Sequence, residues 1–352
     1  MVIDAKEQES LKEYYIAYMD LLGYKEFFNE NPESTMEFYE QIKSAIHETK
    51  KILKSTKQPL KYKIFSDNII IFLEAVEDKE NDISNLLMLM LSVANIQRHF
   101  ILEHNLFLRG SITKGTMCVN REFLFGAGLI EAVEIEENKA IYPRIVVSNK
   151  IAELISGYKG VDEVTLKKIE VLSNKIRNKV KLTDGEKLFF KYYTAVLFID
   201  AFVKHVQYFL IYEWGGVYVL NYLDNIEKHI LINKDDASEL IKLLSVDYDD
   251  ERMQSNPYLE EDLAKHKKRI EAKLKKYAGE PTTSPDFERE AIREHILKKY
   301  IWSCFYHNSI CEMYGLNNLK IKGEVQLDEI SLNIQYRFDK RLYYGIQPGG
   351  KK

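Results

Sequence analysis

A chain of 352 residues with 45% hydrophobic content has ample material for a real core and is not a disordered chain. Its 50 Lys and Arg against 54 Asp and Glu give a formal net charge of -4, which excludes a general nucleic-acid surface and leaves room only for local basic patches. The N-terminal MVIDAKEQESLKEYY has no basic segment followed by an apolar one, and no apolar run approaches the roughly 20 residues of a bilayer span, so the expectation is a cytoplasmic protein.

In chain order, YYIAYMDLL reads as a strand rich in aromatic and aliphatic residues, and STMEFYEQIKSAIHETKKILKS as an amphipathic helix. KYKIFSDNIIIFLE reads as the next strand. DISNLLMLMLSVANIQRHFILEH follows as a long, mostly buried helix with Asp82 or Ser84 as its cap. LFLRGSITKGTMCVN reads as strand, glycine turn and strand, FLFGAG leads into a helix over LIEAVEIEENK, and IYPRIVVS is a strand whose Pro143 suits an edge or a strand start. The class expected for the first 150 residues is α+β, with helices on one face of a sheet.

Beyond Ser148 the pattern is mainly helical over 149–198 and 234–315. A hairpin at 209–223 turns on Trp214-Gly215-Gly216, a loop lies at 279–286, and the tail KIKGEVQLDEISLNIQYRF is strand-like. The expected division is a domain over 1–150, with core strands continuing to about 225, and a mainly helical region over 151–352. KKYIWSCFYHNSI reads most simply as core, with a helix lining a cleft as its alternative; EEDLAKHKKRIEAKLKKY reads as a solvated amphipathic helix. Cys118, Cys304 and Cys311 are too few and too irregularly spaced for a disulfide framework or a zinc site, and read as buried thiols.

Two acids stand out. Asp20 ends the apolar run IAYMDLLG, and Asp67 interrupts YKIFSDNIIIF. A carboxylate at the end of a buried strand is costly unless it is paired, hydrogen-bonded or bound to a cation, and two on neighbouring strands repel unless a cation lies between them. Magnesium or manganese suits such a pair, with phosphate and water completing the shell. The plainer alternative also stands on spacing alone: Asp20 caps a turn before Gly23, and Asp67 opens a bend.

Asp20-Leu21-Leu22-Gly23-Tyr24 resembles the Asp-Ile-x-Gly-Phe motif of class III adenylate and guanylate cyclase catalytic domains. Ser66-Asp67 resembles that family's Gly-Asp, and the separation, 67 - 20 = 47 residues, accommodates one helix. Arg109-Gly110-Ser111-Ile112-Thr113-Lys114-Gly115 is similar to the family's Arg-x-Gly-Ile-x-x-Gly, while Gly126, Ala132 and Glu136 fall along its Trp-Gly-x-x-Val-Asn-x-Ala-x-Arg-x-Glu segment. The resemblance covers roughly residues 12–150. It implies a ferredoxin-like, palm-type sheet and 3',5'-cyclic nucleotide formation from a nucleoside triphosphate. It also implies two Mg2+ or Mn2+ ions on Asp20, Asp67 and the Leu21 carbonyl, and a head-to-tail homodimer. Gly23 and Tyr24 belong to the nucleotide-binding set, and Lys63 and Phe123 fall at the base-reading positions.

Two departures accompany the matches: Ile130 and Glu134 stand where the family has its transition-state Asn and Arg. Arg109, Lys114, Arg121 and Arg144 are the cations that could replace that charge. Three readings follow from the resemblance. One is an active divergent cyclase, akin to bacterial pyrimidine cyclases of phage-defence systems. The second is a catalytically silent nucleotide-binding or sensor module, and the third is another palm-type nucleotidyltransferase.

Overall fold

The computed structural model describes residues 11–24, 60–120, 122–160, 162–190, 211–214, 216–223, 257–277, 287–322, 324–327 and 330–333, with scattered positions between 29 and 47. Strand β1 (Lys12–Leu22) pairs antiparallel with β3 (Asn68–Glu74) on one side and with β4 (Phe107–Val119) on the other. Side chains alternate along a strand, so Tyr15, Ala17, Met19 and Leu21 enter one core while Tyr14 and Ile16 enter another. That two-sided burial explains why the strand reads as a continuous apolar run. The whole order is β2 (Lys61–Phe65), β3, β1, β4, β6 (Ile145–Val147), β8 (Val217–Leu220) and β7 (Ile211–Trp214), with β5 (Leu124–Phe125) pairing off this path with β4.

Several expectations change in detail. Residues 61–74 form not one strand but a tight hairpin, β2–β3, with Ser66 at φ 56 in its turn. Residues 107–119 form one continuous strand and not a hairpin, because Gly110 and Gly115 serve close approach and not turning. A Cβ on Gly110 would lie 2.3 Å from the Tyr18 carbonyl oxygen, and one on Gly115 would lie 2.6 Å from Gly128 Cα. Pro143 precedes β6, which is an interior strand flanked by β4 and β8. The hairpin near 209–223 is present as β7–β8, turned through Gly216 at φ 82, and it extends the main sheet. The helix expected over 34–55 and the loop over 279–286 lie outside the described residues, apart from scattered helical positions between 36 and 47.

The α+β class stands, with helices on both sheet faces instead of one. Helix α1 (Lys79–His104) supplies Leu86, Leu89, Met90 and Val93 to the larger core, and α2 (Ala127–Lys139) packs Ala132 into the smaller one. The segment Asp82–His104 is long and apolar enough to cross a membrane by composition alone, contrary to the expectation from the sequence, yet 83% of its apolar window is buried inside the fold. Short helix α3 (Asn149–Ser156) and α4 (Glu163–Arg177) follow, the latter capped by Asp162, which accepts from Thr165 N–H at 2.9 Å.

The larger core also takes in α5 (Pro257–Tyr277) and α6 (Phe287–Met313). Arg269 of α5 donates to the Leu102 carbonyl at the end of α1, at 3.0 and 3.2 Å, and Tyr300 of α6 packs edge-on against Phe107 of β4 at 5.1 Å. Along α6, Trp302 stacks on Tyr142 at 6.0 Å and on Tyr306 at 5.5 Å. Each such buried aromatic contributes about 1.5–3 kcal/mol by burial alone. Cys118, Cys304 and Cys311 are free and buried, and burial pushes the Cys304 and Cys311 thiols up to about 12. Strands β9 (Glu324–Leu327) and β10 (Ile330–Asn333) form a separate hairpin, as the strand-like tail suggested.

Behind that aromatic stack lies a chain of neutral histidines. His307 Nε2 sits 3.0 Å from the Leu319 carbonyl, which can only accept, so Nε2 carries the proton and His307 Nδ1 accepts. His266 Nδ1, 3.1 Å away, must then donate, and its Nε2 accepts from the Tyr222 hydroxyl at 2.9 Å. Burial lowers His307 to about 4, and burial together with the neighbouring His307 lowers His266 well below the ordinary imidazole range. Both folded-state values lie below the ordinary value near 6.5, so this pair's contribution is fully present above pH 6.5 and is lost as pH falls toward 4. The stability advantage of the wild type over His307→Gln is therefore expected to shrink between pH 7 and pH 4.5 in denaturant titrations; a constant difference would show that the pair does not titrate on unfolding.

Candidate active site

Register brings the two acids to one point. Asp20 lies opposite Asn68 on β3 and opposite Arg109 on β4, and the hairpin turn delivers Asp67 beside it, where Leu21 N–H donates to the Asp67 carbonyl at 3.2 Å. The Asp67 carboxylate accepts from Asn68 Nδ2 at 3.4 Å, and Tyr18, two residues before Asp20 on the same sheet face, donates its hydroxyl to Asn68 Oδ1. Gly23, at φ 85, turns the chain directly after β1, and Tyr24 packs half-buried against the larger core.

Arg109 lies between two carboxylates. Its Nε is 2.8 Å from Asp20 Oδ2 and 2.8 Å from Glu136 Oε1 of α2. The single Nε proton goes to Asp20, and among the described residues Glu136 Oε1 has no hydrogen-bond partner, so its contact with Arg109 is one of charge. Burial pushes Glu136 up to about 7, against the pull of Arg109 and with a push from Asp20. Asp20 is raised as well: burial dominates, the Arg109 hydrogen bond and charge oppose it, and Asp67 adds to it. The same acids, together with burial, hold the Tyr18 hydroxyl up at about 12.

For Glu136 the folded value lies above the ordinary 4.5, so its favourable contribution is fully present below pH 4.5 and is lost as pH rises through 7. Glu136→Gln is accordingly expected to gain stability relative to the wild type as pH rises from 4.5 to 7 and to hold that gain above 7. A gain that failed to grow over that window, read by thermal melting, would mean that the carboxyl is ionised throughout.

Helix α2 is seated so that Glu136 reaches Arg109. Gly115 and Gly128 allow helix and strand backbones to touch, Ser111 Oγ donates to the Ala132 carbonyl at 2.6 Å, and Thr113 Oγ1 bonds Glu131 at 3.2 Å. Ile130 is 61% exposed and Glu134 is exposed, so neither turns inward toward the acids. A cavity of about 460 Å³ between α2, β6 and β8, lined by Glu131, Glu134, Ser148, Lys150 and Tyr218 among others, shares only α2 with the acid cluster.

The remaining sequence candidates are distributed as follows. Lys63 shares the face of Asp20, because it pairs with Ile70, which pairs with Tyr18. Lys114 is not brought to that face: strand alternation sends it to the other side, where it meets Asp82 at 3.1 Å and lies over the Tyr15 ring at 5.0 Å. Arg144 is not brought to the acids either. Its Nη2 donates to the Lys139 carbonyl at 2.8 Å, closing the end of α2, and its guanidinium lies against the rings of Tyr142 and Trp302 at 5.1 and 5.7 Å. Phe123 sits in the β4–β5 turn, its N–H held by Asn120 Oδ1 at 2.7 Å and its ring 5.2 Å from that of Phe125. From Arg109 to that turn β4 advances roughly 30 Å, so one chain does not bring Phe123 to Asp20. Arg121 lies outside the described residues.

Three members of the cluster escaped the sequence reading. Tyr18 was visible through its two-residue offset from Asp20, and Asn68 through its place after Asp67. Lys299 of α6, whose charge acts on Asp20 and Glu136, lies in the KKYIWSCFYHNSI segment whose alternative reading is a cleft-lining helix, but nothing in that pattern singles out the lysine itself.

Among the described residues no three His, Cys, Asp or Glu side chains gather as a metal-holding group. The donors present are a pair: Asp67, and Asp20 with its Oδ1 outside the Arg109 contact, beside the Leu21 main chain. That set suits a magnesium-like ion, which takes one or two carboxylates and completes its shell with phosphate and water.

The fold is similar to solved cyclase domains. The adenylyl cyclase CyaB from P. aeruginosa is 15% identical, with the match covering 43% of this chain and 83% of that one at a TM-score of 0.33. The monomeric guanylyl cyclase domain of the RhoGC fusion protein from the aquatic fungus Blastocladiella emersonii is 13% identical over 42% of this chain and 88% of that one, at a TM-score of 0.34. The guanylyl cyclase Cya2 is 12% identical over 42% and 79%, at 0.29. No protein-family profile and no curated protein matches the chain.

Proposed function

We propose that this chain is a divergent nucleotide cyclase. The ribose 3' oxygen of a nucleoside triphosphate attacks the α-phosphorus, the bond to the β-phosphate oxygen breaks, and a 3',5'-cyclic nucleotide and pyrophosphate leave. The observation that carries this reading is the convergence of Asp20, near the end of β1, and Asp67, in the β2–β3 turn, at one end of the sheet. Asp20, Asp67 and the Leu21 carbonyl would hold two Mg2+ or Mn2+ ions, which would supply the charge that activates the attacking oxygen and steadies the triphosphate.

The chain's own groups divide the remaining work. Tyr18 and Asn68 brace the floor between the acids, Arg109 neutralises Asp20 and Glu136, and Lys63 lies on the same face at the distance of two strands, placed for a base. Phe123 completes the base pocket from a second copy, because within one chain it lies at the far end of β4. A homodimer with two composite sites follows; an aromatic at that position stacks on any base, and cCMP or cUMP as the product rests on the resemblance to bacterial pyrimidine cyclases. A part in bacterial anti-phage signalling rests on the motif resemblance alone.

One observation favours a second reading, a nucleotide-binding module without turnover. Ile130 and Glu134 offer no positive charge, and Lys114 and Arg144 are engaged elsewhere. Incubating the protein with each of the four triphosphates and manganese, and reading products by mass spectrometry, decides between them. A cyclic product supports the cyclase and an oligonucleotide points to a polymerase-like activity. No product, with melting still raised by nucleotide, leaves the binding module.

A further inference from the structure

The acid cluster is short of positive charge for a polyanionic ligand. Asp20, Asp67, Glu136 and Glu137 all act on its electrostatics, and Arg109 is already committed to two of them. A triphosphate draws on cations besides any metal, and among the described residues of the first half Lys114 and Arg144 are engaged elsewhere while Lys63, on this face, stands two strands from Asp20.

The second half supplies one. Helix α6 passes the end of the sheet where the acids lie: Tyr300 packs on Phe107, two residues before Arg109 on β4. Trp302 stacks on Tyr142, just before Arg144, whose carbonyl accepts from Gly110 N–H. His295, Lys299 and Trp302 follow helical spacing and share one stripe of α6. Lys299 is half-buried, its ammonium makes no ion pair or hydrogen bond among the described residues, and it lies close enough to Asp20, Glu136 and Arg109 for each to act on its charge. Arg109 in turn acts on His295, one turn earlier on the stripe. An ammonium without an ion-pair partner, within electrostatic reach of Asp20 and beside the end of the sheet where Asp67 also lies, is suited to meet phosphate oxygens.

We propose that Lys299 is a phosphate-binding residue of the acid site, contributed by the C-terminal helix to the triphosphate of the nucleotide. This rests on the nucleotide reading above. The plainer role, neutralising Glu136 and Asp20 in the folded protein, makes a different prediction for ligand binding.

The test uses the full chain with manganese and, in turn, ATP, GTP, CTP and UTP with their di- and monophosphates, read by calorimetry and thermal shift. For the triphosphate that binds the wild type most tightly, Lys299→Met is expected to raise the apparent Kd about tenfold or more, the size of one lost charge-assisted contact. The loss should be smaller for the diphosphate and absent for the monophosphate, and Lys299→Arg should restore most of it. Lys299→Gln serves as the second variant should Met disturb the helix. A wild-type affinity that Lys299→Met and Lys299→Gln both retain overturns the assignment of Lys299 alone. A wild type that binds none of the nucleotides overturns the nucleotide reading and this assignment together.

Discussion

Asp20→Ala and Asp67→Ala are each expected to lower product formation from a nucleoside triphosphate and manganese by about a hundredfold or more, the scale on which loss of a charge-stabilising group acts at a phosphoryl centre. The two variants separate in a second respect. Burial already disfavours the ionised form of Asp20 more than Arg109 favours it, so the folded state gains little from that charge. Asp20→Asn should therefore melt close to the wild type, with Arg109 turning to Glu136 as its remaining partner. Loss of product with little loss of stability marks a residue kept for chemistry; the reverse pattern, a large drop in melting temperature with activity retained in the surviving fraction, would return Asp20 to the role of a structural ion pair.

Gly128→Ala is expected to destabilise the protein by about 2–3 kcal/mol in denaturant titration, even though alanine is the better helix former by about 1 kcal/mol. The new Cβ would lie 2.6 Å from Ile16 Cδ1, which can rotate away, but also 2.8 and 2.9 Å from Gly115 backbone atoms, which cannot. Helix α2 has to lift from β4, and Glu136 lifts with it from Arg109. The variant should lose activity in parallel, and Gly115→Ala should behave alike because its Cβ meets Gly128 Cα at 2.6 Å. A stability equal to or above the wild type would mean that helix and strand have slack the contact distances do not show.

Much of this site was legible in the sequence, for reasons that can be stated residue by residue. Asp20 and Asp67 announce themselves because a carboxylate within an apolar strand pattern has few bland explanations. Helix α1 and the β7–β8 hairpin follow from apolar runs and a Gly-Gly turn. The glycines of β4 misled, since a glycine that lets two backbones touch looks in sequence like one that makes a turn. Period-two alternation separates Lys114 from Arg109 only once 107–119 is known to be one strand: an odd offset of five residues then puts them on opposite faces. Lys299 could not have been found from local pattern, because its neighbours in space come from β1, β4 and α2.

The packing of α6 across the sheet has a kinetic corollary. Phe107 and Tyr300 meet across most of the chain's length, and β8 joins β6 across another long span, so the contacts that close the larger core have high sequence separation. Chains dominated by such contacts fold slowly, and their early segments wait for late ones. During synthesis the apolar face of α1 and β4 remains uncovered until residues 257–313 emerge. Truncation near residue 150 should accordingly yield an aggregation-prone fragment, since the surface that α5 and α6 bury would face water.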